Sequence, residues 1–211
     1  MNVNTRFGRL AWACNTMMLA ALLIAGGAGT AGANELAEGC AECHGKDGAS
    51  SEPTVPVIGG ISALYMMDNL ALYKDEARPC VEAEYLDGPN KGSKTDMCKI
   101  AAELSEGDME SLGEFFAGKP FVRAKQDFDA DKAALGKEVH ERNCEKCHED
   151  GGASAEDDAG ILAGQWTPYL KQVFEHYDAG TREMPKKMAP KYEKLDAAEK
   201  EALLHYYASL Q

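Results

Sequence analysis

The stretches Cys40-Ala41-Glu42-Cys43-His44 and Cys144-Glu145-Lys146-Cys147-His148 decide how this chain folds, and both have the pattern C-x-x-C-H. Two thiols at this spacing can add to the two vinyl groups of one porphyrin, and the following His is then placed to bind the iron. A redox dithiol would not need that His. A zinc site would need two further ligands at short spacing, which neither motif has. The motifs therefore predict two covalently bound haem c groups, one at each motif.

The two motifs begin two related halves of the chain. At an offset of 104 residues the match extends beyond the motifs, over the pairs Gly48/Gly152, Gly60/Gly164, Tyr65/Tyr169, Tyr73/Tyr177 and Arg78/Arg182. The offset then falls to 91, at which Met97 matches Met188 and Phe115-Phe116-Ala117 matches Tyr206-Tyr207-Ala208. The first half therefore carries an insertion of 13 residues. This long repeat predicts two copies of one small domain rather than a solenoid.

The repeat also selects the second axial ligands. A low-spin electron-transfer haem needs a sixth ligand, and Met is the usual soft donor that raises the reduction potential. Of the nine methionines, only Met97 and Met188 match each other. We therefore predict that His44 and Met97 bind the first iron, and that His148 and Met188 bind the second. Packing or surface positions are expected for the remaining candidates, namely Met66, Met67, Met109, Met184, His140, His176 and His205.

The first 33 residues are typical of a cleaved export signal. Arg6 and Arg9 precede an apolar stretch that is densest from Met17 to Ala25, and Ala31-Gly32-Ala33 supplies the small residues of a cleavage site. An uncleaved membrane anchor is the alternative, but this stretch falls short of the ~20 apolar residues that a span needs. We therefore predict a signal peptide over 1–33 and a periplasmic mature chain.

The mature chain divides at a loop that contains Pro120. We predict a first haem domain over 34–118, a linker over 119–130 and a second haem domain over 131–211, with the insertion at about 79–96. Helical periodicity predicts a helix from Asp131 to Cys144 and another that Thr167 caps. Ser105 with Asp108, and Asp196 with Glu199, resemble capping boxes before the last helix of each half.

The mature chain is strongly acidic. It has 20 basic and 35 acidic residues once Arg6 and Arg9 are removed, and its formal net charge is −15. Such a balance argues against binding to nucleic acid or to anionic membranes, and it favours docking to a basic partner. A merely solvated acidic surface would give the same composition.

The sequence as a whole resembles a known class of dihaem proteins. The order C-x-x-C-H, a Gly and an aromatic residue, Met, and a helix ending Tyr206-Tyr207-Ala208-Ser209-Leu210 resembles the cytochrome c4 class. In the second half, residues 126–129, 143–148, 161–170 and 184–189 are similar to the cytochrome subunit of flavocytochrome c sulfide dehydrogenase. The resemblance implies an all-α fold of two tandem class I cytochrome c domains, each wrapped around one covalently bound haem.

The resemblance also implies a partner. In that family an FAD-containing flavoprotein subunit oxidises sulfide, and the dihaem subunit of the heterodimer passes the electrons to a soluble cytochrome c or a similar acceptor. This chain has no Gly-rich dinucleotide fingerprint, so we expect no catalytic residue on it. The alternatives are a free-standing cytochrome c4-like carrier that serves an oxidase or another dehydrogenase, and a haem enzyme with an open axial position.

Two cysteines of the mature chain lie outside the motifs, Cys80 within the insertion and Cys98 two residues after it. In an oxidising compartment Cys80 and Cys98 favour a disulfide, which would hold the adjacent Met97 in place. A soft-ligand metal site, suited to copper, is the alternative. Trp166 and Arg182 are candidates to line the second haem or its propionates, with core or surface roles as the alternative.

Overall fold

The computed structural model describes residue 1 and residues 29–211. Most of the expected signal peptide over 1–33 lies outside these residues, and positions 29–33 belong to the first helix. Within the described part of the chain, no helix is long and apolar enough to cross a membrane.

Helices make up both halves. In the first half they are α1 (Gly29–His44), α2 (Ala63–Lys74), α3 (Met97–Ala102) and α4 (Glu106–Ala117), with a short 3-10 turn at Lys46–Gly48. In the second half they are α5 (Ala130–Asn143), α6 (Glu149–Gly152), α7 (Thr167–Asp178), α8 (Ala189–Tyr192) and α9 (Ala197–Ser209). The insertion adds two short strands, β1 (Glu82–Glu84) and β2 (Lys94–Asp96).

Local capping explains where several helices begin. Both predicted capping boxes are confirmed, because Ser105 and Asp108, and likewise Asp196 and Glu199, exchange side-chain and backbone hydrogen bonds. The predicted cap of α7 is wrong by one residue. The helix begins at Thr167 with Trp166 as its cap, and the Thr167 hydroxyl is buried without a hydrogen-bond partner.

The helix that ends at or just before each motif packs against the last helix of its half, α1 on α4 and α5 on α9. At the second crossing a Cβ on Gly136 would lie 2.1 Å from the carbonyl oxygen of Ala202, so only Gly allows the two backbones to approach so closely. Each crossing closes one hydrophobic core, and Phe116 and Tyr207 are almost fully buried at matched positions in the two cores.

The repeat is visible in the backbone hydrogen bonds. The amide of Gly60 donates to the carbonyl of Phe116 at 2.8 Å, and the amide of Gly164 donates to the carbonyl of Tyr207 at 2.8 Å. Both glycines have a positive φ, +77° and +72°, which other residues rarely adopt. The two glycines are 104 residues apart in the sequence, and the two residues that accept their hydrogen bonds are 91 apart. The same hydrogen bond therefore joins residues matched at both offsets of the repeat.

The insertion forms a β-hairpin, which the sequence analysis did not predict. Strands β1 and β2 pair antiparallel, with Glu82 opposite Asp96. At the base of the hairpin the sulfur atoms of Cys80 and Cys98 are bonded to each other, with the Cα atoms 5.5 Å apart. A carboxylate oxygen of Asp96 lies within 4.8 Å of both sulfurs. Because the sulfurs form a disulfide, they do not provide two thiolates for a metal ion.

Buried polar contacts join the two halves. The side-chain amide of Gln165 accepts a hydrogen bond from the Val57 amide and donates one to the Val57 carbonyl, both at 2.9 Å. Trp166 donates its indole N–H to the carbonyl of Ser50 at 3.0 Å. Trp166 therefore has a structural role at the contact between the halves.

Candidate haem sites

The two motif histidines face matched backbone carbonyls. Nδ1 of His44 lies 2.9 Å from the carbonyl oxygen of Pro56, and Nδ1 of His148 lies 3.2 Å from that of Gly160. A carbonyl oxygen can only accept, so Nδ1 carries the proton and Nε2 keeps its lone pair. This second-sphere bond fixes the tautomer and ring orientation that a metal-binding His requires.

The protonation state of these rings also suits a metal. Burial lowers the pKa of His44 and of His148 below the ordinary value, although the backbone hydrogen bond opposes it in each case. Both imidazoles are therefore neutral at neutral pH, and only the neutral ring has a lone pair to give to iron.

The motif cysteines are not disulfide-bonded. Burial raises the pKa of Cys40 to about 11. Burial also raises the pKa of Cys144. The pKa of Cys43 is raised mainly by burial and to a smaller extent by the negative charge of Glu42. A redox-active or metal-bound thiolate shows the opposite shift. The free thiols therefore lack the thiolate character of a redox-active or metal-bound pair.

Each predicted methionine ligand packs against the core of its own half. Met97 and Cys40 both contact the first core, and Met188 and Cys144 both contact the second. Met66 and Met109 are buried within the first core, as expected for packing residues. Met184 also packs against the second core. Contact alone therefore does not separate it from Met188, and the repeat remains the reason for choosing Met188.

Two buried arginines lie at the contact between the halves. Arg78 and Arg182 are only 6% and 8% exposed. Both guanidinium groups donate to the side-chain oxygen of Asn69, at 2.5 and 3.4 Å. Each also stacks on a tyrosine of its own half, Arg78 on Tyr73 at 4.3 Å and Arg182 on Tyr177 at 4.8 Å. The repeat thus brings two cations to one shared amide.

These cations lack a counter-charge among the described residues. Neither arginine forms a salt bridge there, and Nε of Arg78 is buried without a hydrogen-bond partner. Burial raises the pKa of Tyr169, but the charges of Arg78 and Arg182 outweigh it, so that the net shift is downward. Uncompensated buried charges are costly. The carboxylates of two porphyrins are the counter-ions that this site fits, so the residues present suit haem.

Other histidines have different roles. His140 is completely buried, with Nδ1 3.0 Å from the Tyr207 hydroxyl and Nε2 2.7 Å from the carboxylate of Glu145. The matched positions of the first half hold apolar residues, namely Leu36, Ala41 and Phe116. His205 accepts a hydrogen bond from the amide of Asp129 at the surface. The expected packing or surface position of His140 is therefore a polar network, and no local sequence pattern indicates it.

The chain is similar to known haem proteins. Residues 131–206 match the family model described as "Cytochrome C oxidase, cbb3-type, subunit III". Cytochrome c4 of Pseudomonas aeruginosa is 26% identical over 179 residues, which cover 79% of each chain. The chain is similar to the dihaem cytochromes of the c4 class. It carries two covalently bound haem c groups, as the two motifs predict.

Solved structures confirm the fold of this dihaem cytochrome. Reduced cytochrome c4 from Pseudomonas stutzeri superposes with a TM-score of 0.67 at 24% identity, covering 86% of this chain and 97% of the other. Cytochrome c4 from Acidithiobacillus ferrooxidans superposes with a TM-score of 0.64 at 24% identity, covering 82% of this chain and 99% of the other. The expected all-α fold of two tandem class I cytochrome c domains is therefore confirmed.

A third neighbour is a larger protein. Thiosulfate dehydrogenase (TsdBA) from Marichromatium purpuratum gives a TM-score of 0.62 at 25% identity, covering 81% of this chain. The similarity covers 36% of that protein's chain, so the dihaem fold here corresponds to about a third of it.

The buried arginines yield a prediction about the haem potentials. Arg78→Gln or Arg182→Gln removes a cation from the site, and a nearby cation favours the addition of an electron. We expect each change to lower the midpoint potential of at least one haem by about 60 mV, the shift that corresponds to tenfold for a one-electron couple. Spectroelectrochemical titration measures it.

The controls separate charge from structure. Arg78→Lys keeps the positive charge and should restore most of the potential. Arg123→Gln changes an exposed arginine that donates to the Leu210 carbonyl, and it should leave the potentials unchanged. Equal potentials for Arg78→Gln and Arg123→Gln would show that the buried pair does not act on the haems.

Proposed function

We propose that this dihaem cytochrome is the periplasmic electron-transfer subunit of a flavoprotein sulfide dehydrogenase. It receives electrons from an FAD-containing subunit and passes them to a soluble cytochrome c or a similar acceptor. The observation that carries electron transfer is the twofold occurrence of a motif His whose Nδ1 faces a backbone carbonyl, in a half whose core contacts a matched Met. The proposal therefore assigns no catalytic residue to this chain.

The proposed ligands follow from the same repeat. Cys40 and Cys43 attach the first haem, whose iron is bound by His44 and Met97. Cys144 and Cys147 attach the second haem, whose iron is bound by His148 and Met188. The bound haem supplies one-electron cycling between ferric and ferrous iron, and two filled axial positions leave no site for a substrate at the metal.

The chain's own residues hold the first methionine ligand in place. Met97 is the first residue of α3, and Asp96 caps that helix by accepting a hydrogen bond from the Lys99 amide at 3.0 Å. Cys98, the next residue, is tied to Cys80 by the disulfide. A cap on one side and a crosslink on the other limit how far Met97 can move, which favours a stable iron–sulfur bond.

The flavoprotein partner rests on two supports. The second half carries the runs that resemble the cytochrome subunit of flavocytochrome c sulfide dehydrogenase, at residues 143–148, 161–170 and 184–189. The neighbour described as thiosulfate dehydrogenase shows the same fold within a dehydrogenase that acts on a sulfur compound.

The Cys80–Cys98 disulfide suits an oxidising compartment and therefore export to the periplasm.

A free-standing carrier is the second candidate. The cytochrome c4 structures are covered almost completely, at 97% and 99% of their lengths. Such a carrier would serve an oxidase or another dehydrogenase without a bound flavoprotein.

Methionine substitutions test the axial ligands. Met97→Ala and Met188→Ala should each remove about half of the far-red charge-transfer band that Met–iron bonding gives ferric haem, because each removes one of two such bonds. Absorbance spectroscopy of the oxidised protein measures the band. Met184→Leu is the matched control, since Met184 packs against the same core as Met188. Loss of the band in Met184→Leu with retention in Met188→Ala would reverse the assignment.

Purification from the native periplasm tests the partner. A tagged chain should bring down a flavin-containing protein, and sulfide should reduce the haems of that complex but not those of the cytochrome alone. High salt that separates the two proteins should abolish reduction by sulfide. A monomeric cytochrome without flavin, reduced instead by another dehydrogenase, would favour the free-standing carrier.

A further inference from the structure

The hairpin of the insertion lies on the first haem motif. The amides of Leu86 and Asp87 both donate to the carbonyl oxygen of Glu42, at 2.8 and 3.1 Å. The side-chain amide of Asn90 donates to the Glu42 carboxylate at 3.1 Å. Glu42 is the residue before Cys43, so the tip of the hairpin is bonded to the last turn of α1, which carries the first haem motif.

The hairpin also covers the second cysteine of that motif. The sulfur of Cys43 lies 3.9 Å from the carbonyl oxygen of Glu84 in β1. A Cβ on Gly88 would come within 2.6 Å of the Glu42 carboxyl carbon, so Gly at this position lets the turn approach the motif. The disulfide at the base fixes the hairpin to α3. This cover is therefore held at both its tip and its base.

The second motif has no equivalent cover in the sequence. Eighteen residues, 79–96, separate Arg78 from Met97, but only five, 183–187, separate Arg182 from Met188. Cys147, which matches Cys43, is exposed, whereas Cys43 is partly buried. The repeat thus provides two matched haem attachment points that differ in their access to solvent.

Access to solvent decides where a soluble redox partner can exchange electrons. Electron tunnelling slows steeply with distance, so a layer of protein over one attachment point disfavours exchange there. The surface charge indicates the kind of partner. Residues 141–150 around Cys147 contain four acidic and two basic side chains, in a chain of net charge −13. Opposite charge on the partner speeds its encounter with such a face.

We propose that the hairpin Cys80–Cys98 closes the first haem's attachment edge to soluble redox partners, and that a basic electron-carrier protein docks on the exposed face around Cys147. The proposal uses the two bound haems but not the flavoprotein, and it can be tested on the purified holoprotein. Failure to find a flavin partner would leave the expected results unchanged.

Solvent relaxation measures the shielding directly. A neutral gadolinium chelate is added to the reduced holoprotein, and the NMR relaxation of the thioether methyl groups of both haems is recorded. The methyl group attached at Cys147 should relax severalfold faster than the one attached at Cys43. Equal relaxation of these two groups in the wild-type protein would overturn the proposal, whether or not any variant folds.

The repeat offers the matched variant. Residues 79–96 are replaced by residues 183–187, and Cys98→Ala introduces the residue found at the matched position Ala189. This graft removes the hairpin and the disulfide while keeping Met97. The first haem's methyl groups should then relax as fast as those of the second. Unchanged protection of the first haem would show that the hairpin is not the shield.

Charge reversal tests the docking face. Glu141→Lys with Glu149→Lys should lower the rate at which a basic cytochrome c oxidises the protein by about tenfold at low salt, because steering contributes about that much or more. Glu84→Lys with Asp87→Lys, on the hairpin, is the matched control and should leave the rate unchanged. A larger effect of the hairpin variant, or faster oxidation by an acidic carrier, would contradict docking at Cys147.

Discussion

The constraint on which the rest depends is the attachment of one haem by two thiols and the His that follows them. It requires the motif to lie at the end of a helix, in the last residues of α1 or directly after α5, and that helix packs against the last helix of its half. It also requires a neutral imidazole, which burial favours, and a fixed tautomer, which the backbone carbonyls of Pro56 and Gly160 provide. Two such attachments in one chain account for two similar cores and for the arginine pair that lies between them.

The two halves share this constraint and differ around it. The first motif is covered by a disulfide-closed hairpin, and its surroundings are apolar at Leu36, Ala41 and Phe116. The second motif is open, and the matched positions hold the hydrogen-bonded group His140, Glu145 and Tyr207. Burial and nearby hydrogen bonds are among the features that set a haem potential. The divergence of the repeat therefore gives two electron-transfer sites with different access and different polarity.

Features set by short-range spacing could be predicted from the sequence. The motifs, the two offsets and the capping boxes at Ser105 and Asp196 depend on residues that are close together in the chain or repeated in it. The hairpin was missed because its strands have three residues each and carry charges. The pairing of Gln165 with Val57 spans 108 residues. Asn69 as the shared acceptor of two arginines likewise depends on how the halves meet, which no local pattern encodes.

The central claim is that each half holds its own covalent haem. Mass spectrometry of the exported protein under denaturing conditions tests it most directly, because thioether bonds survive unfolding and coordination bonds do not. The account predicts an intact mass increased by two haems, with one haem on the peptide that contains residues 40–44 and one on the peptide that contains residues 144–148. A protein that retains one haem or none, or a haem on any other peptide, would contradict it.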